Sequence, residues 1–187
     1  MFEKFQLLEK MYFHELERKQ QLESSTSLPI GVVVACYGLL GYFFTHYRFE
    51  GTKYYGSRVA EVLFEMATLV SVSLLALATY WCIRVVMGST YEYLPGSQTL
   101  HNYVQGLERW HKNNRTRNPT AVAKAEFQEF LAKSLAKCSQ TNWQTNLVRS
   151  EELYRAKRFT VFALIGLAFA AIAYYVDFWF EAPQITN

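Results

Sequence analysis

Three apolar runs, Leu28 to Tyr47, Val62 to Ile83 and Phe159 to Val176, restrict this chain more than any other feature it carries. Each approaches the roughly 20 residues that cross a hydrocarbon core at about 1.5 Å of helix rise per residue. Between them lie segments as charged as a soluble helix surface, and such segregation is what a bilayer selects for. A core helix of a soluble bundle requires neither this length nor this freedom from charge. Glu65, one turn inside the second run, is the only charged residue within the three; Arg84 follows the second run directly, where a long side chain reaches headgroups, and Asp177 follows the third.

The first run begins only after a stretch carrying both charge signs and ends in Phe44-Thr45-His46-Tyr47-Arg48. It lacks the small-residue cleavage site of a signal peptide and is expected to persist. Cys36, Cys82 and Cys138 are odd in number and widely spaced. They read as small apolar residues in a reducing or lipid setting, and predict neither a disulfide framework nor a metal site.

Basic residues set the orientation. Gly88 to Arg158 holds eleven of the nineteen Lys and Arg residues against six acids, which predicts that this segment is cytosolic. The N-terminus then lies inside, and the link Arg48 to Glu61 and the tail lie outside, although Arg48, Lys53 and Arg58 oppose that rule. Aromatic residues from Tyr42 to Tyr55 and from Tyr174 to Phe180 form a belt at one interface; Tyr80 and Trp81 mark the other.

The expected fold is an all-α membrane protein. It comprises a cytosolic amphipathic helix over 1–27, a transmembrane hairpin over 28–87 with spans at 28–47 and 62–83, a cytosolic helical module over 88–158, a third transmembrane helix over 159–180, and a periplasmic tail over 181–187. Phe5, Leu8, Tyr12 and Leu16 share one face of the first helix, with Glu15 and its charged neighbours largely elsewhere, so that face needs a cover: a partner helix or the membrane surface. Ser24-Ser25-Thr26-Ser27 is expected to end this helix, with Ser27 capping span one and Pro29 in its first turn. Leu100 to Leu107 predicts a short amphipathic helix ending near His111; Asn118-Pro119 predicts the start of another, whose stripe is Phe127, Leu131, Leu135 and Cys138. Neither proline nor glycine interrupts 121–165. Seven of the eight residues from Ser139 to Asn146 are nevertheless polar, which predicts a kink or loop there, or a polar contact buried in an oligomer.

Motifs of chemistry are missing from the sequence: it has no phosphate-binding glycine loop, paired-cysteine zinc pattern, HExxH or nucleophile elbow. His14, His46, His101 and His111 are scattered along the chain. The expectation is a protein with no catalytic, cofactor or metal residues. Candidate sites are of other kinds. Glu61 and Glu65, four apart, share a face at the outer end of span two; copies of Glu65 in an oligomer ring a cation-selective mouth, or else both are hydrated at the interface and paired with Arg58. Gly38 and Gly41 in span one, and Gly166, Ala170 and Ala173 in span three, are candidates for close helix packing, within one chain or between copies. Phe127, Leu131 and Leu135 offer a face to a partner. Lys112, Arg115 and Arg117, beside Trp110, form a loop suited to an anionic partner, nucleic acid or lipid headgroup, or to a merely solvated positive-inside determinant.

Two stretches carry a resemblance: Tyr12-Phe13-His14-Glu15-Leu16-Glu17-Arg18-Lys19 leading to Ser27-Leu28-Pro29-Ile30-Gly31, and Arg149-Ser150-Glu151-Glu152-Leu153-Tyr154-Arg155-Ala156-Lys157-Arg158 leading into span three. Their layout resembles the small membrane effectors of bacterial antiviral abortive-infection systems, including the SLATT-type family and the transmembrane effectors found with retrons. The resemblance implies an inner-membrane protein that oligomerises and permeabilises or depolarises the membrane when released by a cytosolic protein or nucleoprotein regulator. The alternative it leaves open is a non-conducting sensor or anchor that recruits a soluble defence effector.

Overall fold

The computed structural model describes residues 2–46 and 55–181, and side chains over 5–46 and 59–176. Four helices make up the described fold: α1, Phe2–His46; α2, Tyr55–Met87; α3, Ser97–Asn113; and α4, Pro119–Glu181. Three of them, α1, α2 and α4, are long and apolar enough to cross a membrane. The chain divides into two compact units, Met1–Gln21 with Ser89–Val148, and Leu22–Gly88 with Arg149–Asn187.

In the first unit the predicted stripes meet each other. Tyr12, Leu135 and Cys138 are buried together, and Phe5, Leu8, Leu16, Leu94 and Leu131 pack around them. The two faces that the sequence left in need of a cover, one on α1 and one on α4, thus cover one another. Tyr103 of α3 closes the other side of the stripe, with its ring 6.4 Å from Phe127 and 4.7 Å from Phe130. The residues from Ser89 to Pro95 are an irregular strap outside any helix.

In the second unit the parts of α1, α2 and α4 pack around a filled centre. Leu75, Ala78, Ala163 and Ala170 are fully buried there, beside Val33, Cys36 and Leu40 of α1. Phe43, Phe64 and Tyr174 cluster at one end, with ring centroids 5.7 to 6.2 Å apart. Outward the surface is apolar: Leu69 and Phe169 are each 63% exposed. An apolar rind around a packed centre suits helices whose outer solvent is hydrocarbon.

Two expected breaks are continuous helix. α1 passes through Ser24 to Pro29, where Thr26 Oγ1 donates to the Leu22 carbonyl at 2.7 Å and Ser27 Oγ to that of Ser24 at 2.7 Å. The hydroxyls turn back onto their own helix instead of capping a new one, and Pro29 is an interior residue. α4 likewise runs unbroken through Ser139 to Asn146. Asn118, just before α4, has φ of 60° and its carbonyl accepts from the Val122 amide at 3.2 Å, so it holds the N-cap place ahead of Pro119 in a left-handed conformation. Residues 47–54 of the outer link, the side chains of Tyr55 to Arg58, those of Asp177 to Phe180, and the tail from 182 lie outside the described residues, while 55–61 of the expected link already belong to α2.

Candidate functional site

Because the strap of the first unit has no helix or sheet to satisfy its backbone, side chains of α4 and α1 must do so. Asn142, fully buried, accepts from the Glu92 amide at 2.9 Å and donates to the Glu92 carbonyl at 3.0 Å, so that one carboxamide imitates a strand pairing. Asn146, also fully buried, accepts from the Tyr91 hydroxyl at 2.7 Å and donates to both the carbonyl and the carboxylate of Glu15, at 2.8 and 2.9 Å. Thr145 donates to the Thr90 carbonyl, and Lys137 pairs with Glu92 at 3.3 Å. From α1, Lys19 donates to the Tyr93 hydroxyl at 2.9 Å and lies over the Tyr91 ring. The polar stretch of α4 is therefore neither a solvated break nor an unfilled contact: it is a ladder that holds the strap and ties it to Glu15. Beside it, burial pushes the Cys138 thiol up from its ordinary value, and the Glu92 charge adds to that, which leaves a packing residue rather than a nucleophile.

The second unit holds its own polar group, and here the helix spacing continues the same face of α4. Arg149, buried, donates from Nε to the Val85 carbonyl at 3.1 Å, one of the last acceptors of α2, and lies 3.7 Å from Glu23. A cation at a helix C-terminus satisfies an orphan carbonyl and opposes the dipole. Glu152 binds Arg84 through both Nε and Nη2, at 3.1 and 2.8 Å. Arg84, expected only to reach headgroups, is half exposed and paired. Arg155 lies 4.7 Å over Trp81, a cation–π contact that fixes one of the predicted interface aromatics.

The sequence-predicted residues are distributed unevenly. Leu135 is buried and Leu131 and Phe127 half-buried, so the face expected to meet a partner is occupied within the chain. A Cβ on Gly166 would collide with the Ser71 hydroxyl and stand 3.5 Å from its Cβ. Ala170 and Ala173 are buried on the same side, so the small residues of α4 serve packing within the chain. Gly38 and Gly41 are different: both are exposed, and a Cβ on either meets nothing within 4 Å. Glu65 is exposed and Glu61 half-buried. Lys112, Arg115 and Arg117 are all exposed on the turn between α3 and α4. His111 is buried under that turn, with Nδ1 3.2 Å from Thr116 Oγ1 and Nε2 3.2 Å from the Glu126 carboxylate without an aligned hydrogen bond.

Asn142, Asn146, Glu15, Arg149 and Glu152 were not singled out by sequence reasoning. One signal pointed to four of them. Positions 142, 146, 149 and 152 continue, at helical spacing, the stripe that Leu135 and Cys138 begin and Ala156 and Ala163 extend. Polar residues on the buried line of a helix need partners, and here they have them. Among the described residues no group of three or more His, Cys, Asp or Glu comes together as a metal-ligand set. An apolar groove of about 300 Å3 in the second unit, bordered by Val33, Val34, Tyr37, Ile83 and Val86, presents no charged side chain. What this geometry defines is an all-α membrane protein organised by buried polar side chains. Comparison with protein-family models, curated proteins and solved structures finds no match to the chain.

Proposed function

We propose that the chain is an antiphage effector of the bacterial inner membrane, with its N-terminus and polar helical unit in the cytosol, that oligomerises and depolarises the membrane when a partner releases it. The observation that carries the reading is the outward small-residue face of span one, beside a filled centre in the second unit. Leu75, Ala78, Ala163 and Ala170 leave no path between α1, α2 and α4 of one copy, so conduction needs several copies. The outward Gly38 and Gly41 give span one a face on which another helix can approach closely, and exposed Glu65 supplies a carboxylate for a cation pathway between copies. The basic bias of Gly88 to Arg158 supports the orientation, and the resemblance of Tyr12 to Gly31 and of Arg149 to Arg158 to abortive-infection effectors supports the role.

The test is membrane potential in phage-challenged bacteria expressing the chain, against a Gly38→Leu, Gly41→Leu variant. Depolarisation lost in the variant, with undiminished protein in the membrane, is the expected result. Depolarisation of equal speed in both would remove span one from the assembly. The second reading, a non-conducting sensor or anchor that recruits a soluble effector, is favoured by the same filled centre; under it phage protection occurs without any change in potential.

A further inference from the structure

The turn between α3 and α4 is a feature that the proposed function leaves unused. From Arg109 to Lys124 the sequence has five cations and no acid. Lys112, Arg115 and Arg117 are exposed, and none of the three makes an ion pair or side-chain hydrogen bond among the described residues. Uncompensated cations this close repel one another, so the turn has to be held by other means. It is: the Asn114 amide donates to the Trp110 carbonyl at 3.0 Å, that of Arg115 to Lys112 at 3.2 Å, and that of Thr116 to His111 at 3.1 Å. Arg115 and Asn118 adopt left-handed φ of 52° and 60°, and buried His111 braces Thr116 from beneath. The charges are therefore presented on a set backbone rather than on a floppy loop, which lowers the ordering cost of binding.

Trp110 decides what kind of anion fits. Its indole is 59% exposed, two residues before Lys112 in the sequence, with the His111 ring edge-on at 4.7 Å. From His111 to Asn118 there is no aliphatic or aromatic side chain other than the buried imidazole, so the single Trp110 indole is all the turn has to insert into an acyl boundary, far short of the apolar face of a lipid-binding segment. It does have exposed amides at Asn113, Asn114 and Asn118. Cations for phosphates, one ring for a base and amides for base edges are the elements of single-strand recognition. We propose that this turn binds a short single-stranded segment of nucleic acid, with Lys112, Arg115 and Arg117 on phosphates and Trp110 stacked on a base. Such binding is independent of whether the spans conduct.

The experiment uses the full chain in phosphatidylcholine nanodiscs, titrated with fluorescent oligouridine and oligodeoxyuridine at several salt concentrations. Three phosphate contacts on a single strand predict a slope of about −2 in log affinity against log salt. The Lys112→Ala, Arg115→Ala, Arg117→Ala variant is expected to flatten that slope and weaken binding by at least about tenfold, and Trp110→Ala to weaken it by about tenfold with the slope kept. A response confined to one of the two oligonucleotides assigns the sugar. Absence of binding to either, or binding that the triple variant leaves unchanged, overturns the proposal. So does capture of added phosphatidylglycerol vesicles by the turn in place of the oligonucleotides, which would assign it to lipid.

Discussion

Asn142 has the clearest job of any single side chain in the molecule. Its carboxamide serves both backbone groups of Glu92, so truncation leaves a donor and an acceptor of the strap without partners at once. Each buried orphan costs about 1–3 kcal/mol. Asn142→Ala is therefore expected to lower the melting temperature clearly, and Asn142→Asp, which loses the donor and sets a buried anion against the Glu92 carbonyl, to lower it at least as far. Thermal unfolding followed by circular dichroism checks this; three superimposable curves would mean that the strap does not depend on Asn142. Arg149 is the counterpart in the second unit, but it works by charge: its contact with the Val85 carbonyl draws on the dipole of α2 as well as on a hydrogen bond.

At the scale of elements, three glycines with similar sequence signals do different things. Gly38, Gly41 and Gly166 all sit in apolar runs beside other small residues, and the spacing alone does not say which face of a helix meets a neighbour. Gly166 faces Ser71 of α2, while Gly38 and Gly41 face away from the bundle. Gly166→Leu therefore probes the fold rather than assembly. Overpacking of this kind costs about 1–3 kcal/mol, and Gly166→Ala combined with Ser71→Gly, which removes the hydroxyl in the way, is expected to recover most of the loss from Gly166→Ala alone. Thermal stability of the two single variants and the double variant in detergent reads the coupling. Strictly additive losses would contradict the contact.

The whole molecule was legible where periodicity is local and illegible where a partner is remote. The three apolar runs, the short α3 and the stripe from Phe127 to Cys138 follow from spacing, and the start of α4 at Pro119 from the Asn118-Pro119 pair. Ser24 to Ser27 and Ser139 to Asn146 read as breaks because hydroxyls and amides usually compete with helix hydrogen bonds. In the first stretch the hydroxyls bond back within a turn; in the second, Asn142 and Asn146 find partners fifty and more residues away. Nothing local announces such a partner. Of the candidate site, the basic turn was legible as a charge run, but not the buried His111 brace that gives it a shape.

In α4 the polar stretch is continuous helix closed on the strap. Hydrogen exchange of the full chain in nanodiscs tests it most directly. Amides over Ser139 to Asn146 are expected to exchange as slowly as those on either side, and the Glu92 amide to be protected in the wild type but not in Asn142→Ala. Fast exchange across Ser139 to Asn146, with slow exchange on both flanks, would show a break in α4 and contradict it.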